Sequence, residues 1–251
     1  MKGVLICGGT GSRLKPLTDV TNKSLLPVYD KPLIEYPLGT LLSAGIRDIV
    51  VISGNEHLDQ MERYLYSRAQ FDHCRFKFSL QEKPEGIAQA LGMAEEFAAG
   101  ESVCAILGDN IYFDDLAPTI KGFQSGAHVF LKEVSDAQRF GVAEMSGQRT
   151  EDRGQKKENR VDVISIEEKP KKPKSNFAIT GCYVYDNRCF EVIRNLKPSA
   201  RGEFEITDVS KWYLEHGELS ASILKDEWID AGTFESLFKA AQMVRQRQRD
   251  K

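Results

Sequence analysis

Three features of the sequence predict an α/β protein built on a mixed, mainly parallel sheet with helices on both faces. Short apolar runs, stopped by glycine or polar residues, recur through the first half. Segments with helical periodicity separate them. In the second half, strand patterns follow one another with few helices between, which predicts antiparallel members there.

Val4-Leu5-Ile6-Cys7, stopped by Gly8-Gly9, reads as a strand buried on both faces. Apolar residues at helical spacing over residues 33–44 predict a helix, with Gly45 as its C-terminal cap. Ile49-Val50-Val51-Ile52 is a second buried strand, and Phe76, Phe78 and Leu80 alternate with polar residues as in a half-exposed one. Ile87, Ala90, Leu91, Ala94 and Phe97 form one helical face, followed by a buried strand over residues 103–107. Further strands are expected over 127–132, 141–145, 161–167 and 177–185. Residues 147–160 hold five basic and three acidic side chains and read as a solvated loop or hairpin tip. Asp208 is placed to cap a helix running to His216 with Gly217 behind it, and Thr233 to cap a final helix. No internal repeat or low-complexity linker divides the chain. A single domain over 1–251 is expected, in two halves at 1–125 and 126–251.

Composition narrows the function. With a formal net charge of -3 and both signs mixed, the chain lacks the basic footprint of a nucleic-acid-binding protein. No apolar run has the length of a membrane span, and the start lacks signal-peptide organisation. The five cysteines, Cys7, Cys74, Cys104, Cys182 and Cys189, are odd in number and irregularly spaced. That argues against a disulfide framework or zinc site and predicts a cytoplasmic protein. His57, His73, His128 and His216 show no metal-ligand spacing.

The most informative segment is Gly8-Gly9-Thr10-Gly11-Ser12-Arg13, directly after the first strand. Glycines there let the backbone approach a phosphate and turn N–H groups toward it. The segment is not a Walker A loop, because no Gly-Lys-Ser/Thr follows at the required spacing. It is not a dinucleotide fingerprint either, because Leu14 stands where the third glycine belongs. A phosphate-accepting loop that ends in a fixed guanidinium, Arg13, remains. Lys23 could converge on the same phosphates. Asp109 lies just past a buried strand, where open α/β sheets bind ligands and a carboxylate can hold Mg²⁺.

The glycine turn, Lys23 and Leu25-Leu26-Pro27-Val28-Tyr29-Asp30-Lys31-Pro32 together resemble the signature of sugar-phosphate nucleotidyltransferases, most closely the glucose-1-phosphate thymidylyltransferases. The resemblance continues in order through Gln81 with Gly86-Ile87-Ala88-Gln89-Ala90, then Leu107-Gly108-Asp109-Asn110 and Phe140-Gly141-Val142. It extends through Glu167-Glu168-Lys169-Pro170, Thr180-Gly181-Cys182-Tyr183, residues 201–207 and Trp228-Ile229-Asp230-Ala231-Gly232-Thr233. Each block is weak alone; the ordered set is specific. It implies a Rossmann-like fold of the nucleotide-diphospho-sugar transferase type, with residues 1–125 as the nucleotide-binding half and 126–251 as the sugar-binding half.

It also implies a reaction: transfer of a thymidylyl group from dTTP to glucose 1-phosphate, giving dTDP-glucose and pyrophosphate, with Mg²⁺ as cofactor. Arg13, Lys23 and Lys169 would be the catalytic cations. Gly8, Gly9, Thr10, Gly11, Ser12, Arg13, Gln81, Gly86 and Asp109 would bind the nucleotide. Asn110, Gly141, Glu168, Lys169, Thr180 and Tyr183 would bind the sugar phosphate, and Asp109 and Asp230 the metal. A uridylyltransferase making a UDP-sugar is the nearest alternative, since one methyl group separates the bases. A non-catalytic nucleotide-sugar sensor is the alternative of another class. Ser24 and Cys7 depart from the family pattern, where glutamine and alanine are usual. The expected partners are a nucleoside triphosphate, dTTP or UTP, and a sugar 1-phosphate, with no nucleic acid and no membrane. A homo-oligomer is compatible with the resemblance.

Overall fold

The computed structural model describes residues 1–9, 11–54, 57–146 and 160–250. Strand β1 (Lys2–Ile6) is the spine of the first half. It pairs in parallel with β4 (Asp48–Ser53) on one side and β6 (Val103–Leu107) on the other, and β4 pairs in parallel with β5 (Arg75–Leu80). Pro27–Val28 (β2) and Lys31–Pro32 (β3) form a small separate hairpin.

Beyond β6 the sheet changes direction. The long strand β12 (Phe177–Tyr185) runs antiparallel to β6 on one side and to β8 (Ala127–Glu133) on the other. β13 (Leu219–Ile223) continues in parallel beside β8, and β10 (Arg160–Val161) closes that edge. β9 (Gly141–Met145) bridges β12 to β11 (Val163–Glu168). The result is one ten-stranded sheet that crosses both halves of the chain. β7 (Asn110–Tyr112) and β14 (Trp228–Asp230) make a separate two-stranded ribbon. The charged stretch expected as a loop at 147–160 falls, up to residue 159, outside the described residues.

Period-2 alternation sorts the central strands onto two cores. Val4, Ile6, Val50, Ile52 and Ala105 face one way, toward α3 (Ile87–Gly92), α6 (Cys189–Asn195) and α7 (Ile206–Glu215). Leu5, Cys7, Ile49, Val51, Cys104 and Ile106 face the other way, toward α1 (Glu35–Ser43), α2 (Leu58–Tyr66) and α5 (Ala117–Lys121). Helices thus cover both faces. A third, smaller core gathers Val28, Leu33, Ile111, Ile229, Ala231, Ala240 and Val244 under the last helix, α8 (Phe234–Arg249).

Two helix expectations need correction. The face read over residues 87–97 is split between α3 and a short α4 (Glu95–Ala98), because the chain turns at Met93 and Ala94. Asp208 is not the cap of α7: the helix starts at Ile206 behind Glu205, and Asp208 sits in its first turn, paired with Lys211. Thr233 caps α8 as expected, in a reciprocal box with Ser236.

Candidate active site

The site lies at the carboxyl ends of β1 and β6, where the sheet reverses. Past β1, a side chain on Gly8 would overlap Gln81 Oε1 and displace its amide. Gly9 (φ 93°) and Gly11 (φ 60°) take the left-handed backbone of the turn. Thr18 Oγ1 donates to Gly11 O at 2.9 Å and steadies it. The 3-10 turn Ser12–Leu14 then projects Arg13 back over Gly232, the glycine that follows the second acidic residue. Gly8, Gly9 and Arg13 line the cleft, whereas Gly11 and Ser12 shape the turn from outside it. Thr10 lies outside the described residues.

Asn22 anchors the next segment. It accepts from Ser24 N at 2.8 Å and donates to Cys7 O at 3.0 Å, tying the Lys23–Leu25 turn to the end of β1. Lys23 is thereby held against Asp109 and forms an ion pair with its Oδ2. The two atypical residues, Cys7 and Ser24, are fully buried beneath Gly108, where an added Cβ would fall 2.5 Å and 2.7 Å from their Sγ and Oγ. Ser24 fills space under the site and does not line it.

The two acidic residues come together through the β7–β14 ribbon. Asp230 sits opposite Asn110 in the register, and Ala231 N donates to Asp109 O at 2.9 Å. Burial opposes the charge on Asp109, but the Lys23 ammonium and the Asn110 amide outweigh it and hold the carboxyl below its usual range. Asp230 moves the other way, up to about 6, through burial first and then the charge of Asp109. Lys23, Arg13 and Arg139 offset only part of that rise. Arg139 Nη2 stands 3.7 Å from Asp230 Oδ2. Asn110 is a hub: its Oδ1 accepts from Trp228 Nε1 (2.7 Å) and Gly181 N (3.1 Å), while its Nδ2 donates to Asp109 Oδ1 (2.8 Å). Its amide thus holds Asp109 and Trp228, and Asn110 lines the cleft.

On the far wall, Gly141, Glu168, Lys169 and Tyr183 line the cleft together. A side chain on Gly141 would strike Thr207 Cγ2 at 2.5 Å. Burial, then the nearby charge of Glu205, raises Glu168 above the usual carboxylate value, against the pull of Lys169, Thr207 and Arg201. Lys169 follows in a left-handed backbone (φ 41°), with its N–H bonded to Phe140 O at 3.0 Å and its Nζ 3.7 Å from Glu168. Such strain in a non-glycine residue concentrates at functional sites. Thr180 departs from expectation: its side chain is fully buried and does not line the cleft. Alternation along β12 turns Ile179, Gly181 and Tyr183 toward the cleft and Thr180 to the opposite face.

At the other end, Gln81 and Gly86 border the cleft, with Gly86 at φ 115° packed against the Phe204 backbone. Gln81 Nε2 donates to Gln89 Oε1 at 2.6 Å. The whole cleft has a volume of about 550 Å³. It also includes residues given no role in the sequence reading: Arg139, Glu205, Thr207 and Trp228. Arg139 directly precedes the Phe140-Gly141-Val142 block, and the other three lie inside quoted blocks; a charged or aromatic residue at a block edge was the available signal.

Asp109 and Asp230 offer hard carboxylate oxygens side by side at the cleft floor. Among the described residues no group of three or more His, Cys, Asp or Glu side chains forms a protein cage. Two carboxylates completed by phosphate oxygens and water suit Mg²⁺, which keeps part of its hydration shell.

A Rossmann-like sheet with a glycine turn at its switch point, cations beside that turn and paired carboxylates below defines a nucleotide-handling transferase. The chain belongs to the nucleotidyl transferase family, whose model matches residues 2–247. Among its relatives, the glucose-1-phosphate thymidylyltransferase of Neisseria meningitidis serogroup A is 45% identical over 250 residues, 97% of this chain and 82% of that protein. The enzyme of the same name from Mycobacterium tuberculosis is 41% identical over 98% of this chain and 82% of its own length. A Bacillus anthracis protein assigned as a glucose-1-phosphate thymidylyltransferase, solved with sucrose, superposes with a TM-score of 0.87 at 44% identity, covering 98% and 95% of the two chains. UDP-glucose pyrophosphorylase with bound UDP-glucose shares the fold (TM-score 0.86) at 23% identity, covering 98% of each chain.

Proposed function

We propose that this protein transfers a thymidylyl group from dTTP to glucose 1-phosphate, forming dTDP-glucose and releasing pyrophosphate. The observation that carries the reading is the convergence of Arg13, Lys23, Asp109 and Asp230 on one cleft in a chain 45% identical to a named glucose-1-phosphate thymidylyltransferase. The attacking group is an oxygen of the sugar phosphate, already ionised, so no strong general base is needed. Catalysis then consists of alignment and charge neutralisation. Arg13 and the glycine turn hold the leaving phosphates, and Lys169 draws the sugar phosphate into line with the α-phosphorus. Lys23 neutralises charge where pyrophosphate departs, and Gln81 and Gly86 read the base. Glu168, Gly141 and Tyr183 surround the sugar, a carboxylate being able to accept from two hydroxyls. Asp109 and Asp230 would hold Mg²⁺, which when bound supplies positive charge against the phosphate oxygens.

The cytoplasm is the matching compartment. The five cysteines are free thiols, and among the described residues no helix is long and apolar enough to cross a membrane. The test is pyrophosphate release by purified protein with Mg²⁺, across dTTP, UTP, CTP, ATP and GTP crossed with several sugar 1-phosphates. Fastest release with dTTP and glucose 1-phosphate is expected. A clear preference for UTP would replace the donor. No release from any pair would overturn the reading.

A further inference from the structure

Gln81 is only 5% exposed, so its amide takes its orientation from protein neighbours more than from bulk water. Its Nε2 donates to Gln89 Oε1 at 2.6 Å. Gln89 in turn points its own Nε2 at Met93 Sδ, at 3.9 Å. A thioether accepts hydrogen bonds weakly and cannot donate, so the Met93 contact favours this sense of the relay. Were Gln89 reversed, carbonyl lone pairs would face sulfur and two amino groups would face each other. With the relay in place, Gln81 Oε1 is left over Gly8 at the cleft wall, and among the described residues no protein donor meets it. Gln89 and Met93 lie one helical turn apart on and just past α3, so the relay is set by local helix geometry.

We propose that Gln89 is a positioning residue that holds the Gln81 carbonyl toward the nucleobase, and so selects pyrimidines with an N–H at ring position 3, thymine and uracil, over cytosine. The proposal rests on the reading of this cleft as a nucleoside triphosphate site and adds how that site chooses its base. The N3–H of thymine or uracil donates to Oε1. Cytosine presents a lone pair at the same position, and two acceptors repel. A reversed Gln81 would invert the choice.

The experiment measures equilibrium dissociation constants for dTTP and dCTP, without sugar phosphate, in the wild type, Gln89→Leu and Gln89→Glu. The wild type is expected to favour dTTP. Gln89→Leu frees the Gln81 amide and lowers the dTTP-to-dCTP affinity ratio about tenfold. Gln89→Glu keeps an acceptor facing Gln81 Nε2 and keeps the ratio within about threefold of wild type. Equal weakening of both nucleotides in Gln89→Leu, with the ratio unchanged, would show a packing role only and overturn the proposal. So would a ratio in Gln89→Glu that falls as far as in Gln89→Leu, or a wild type indifferent to the two bases. Because binding is read alone, absent turnover with intact nucleotide preference counts against the transferase reading and not against Gln89. Absent nucleotide binding overturns both.

Discussion

Asp109 meets three groups at once: the Lys23 ammonium, the Asn110 amide and the charge of Asp230. On the proposed function, Asp109→Asn removes one of the two carboxylates that would hold Mg²⁺, and it leaves Lys23 without its counter-charge. Turnover is expected to fall about 1000-fold or more while the fold persists; steady-state pyrophosphate release, with circular dichroism as control, checks it. Asn110→Ala acts through its neighbours. The buried N–H groups of Trp228 and Gly181 lose their acceptor, at a cost of about 2–4 kcal/mol in thermal or urea unfolding. Mn²⁺ affinity, read by electron paramagnetic resonance, should fall about 10- to 100-fold because Asp109 loses the amide that orients it. That Arg13 and Asp109 belong to the cleft was legible from residue type and position after a buried strand, whereas Lys23 and Asp230 rested on the family resemblance. Arg139 and Gln89 were not, since they act on other side chains and no motif records that. Thr180 was misplaced because β12 is apolar on both faces, so its sequence does not say which set of alternate residues meets the cleft.

The elements follow the same logic. Strand existence was readable wherever an apolar run was bracketed by polar residues, and Phe177–Tyr185 matches the expected bounds. Helix ends were harder, because capping depends on local backbone geometry as much as on residue type. Asp208 has the right chemistry for a cap, yet the chain enters the helix two residues earlier. At the edge of the parallel sheet, Asp48 of β4 joins three strands. It receives Lys2 of β1 at 2.9 Å and Arg75 Nη2 of β5 at 2.6 Å. The hydrogen bonds from Arg75 and then Lys2 hold its carboxyl down at about 2. The folded-state value lies below the unfolded one of about 3.9, so the stabilisation is complete above that pH and is lost as pH falls through about 2. Asp48→Asn should therefore lower stability at neutral pH and flatten the acid limb between about pH 4 and 2, as read by denaturant midpoints over that window.

At the scale of the whole molecule, β12 is the seam. It pairs with β6 from residues 1–125 and β8 from residues 126–251, while α3 and α6 pack across the same line. We take the chain as one cooperative domain for this reason. A fragment of residues 1–125 should fail to fold into a soluble monomer, because the β6 edge and the α3 face lose their covers. Dispersed amide resonances from that fragment would argue instead for two separable units. The seam itself was not legible in the sequence, since long-range antiparallel pairing leaves no local mark.

The small third core has a consequence in time. Val28 and Leu33 flank the hairpin just after the Lys23 turn, Ile111 follows the Asp109 segment, Ile229 precedes Asp230, and Ala240 and Val244 belong to α8. Three segments of the cleft, far apart in the chain, thus share a small core that α8 closes. On the ribosome, the parallel strands β1, β4, β5 and β6 emerge before β14 and α8. The carboxylate pair cannot form until β14 and α8 have followed. A nascent chain that stops short of α8 therefore lacks the packing that holds the Asp109 and Asp230 segments together, and on the proposed function would be inert toward the nucleotide pool.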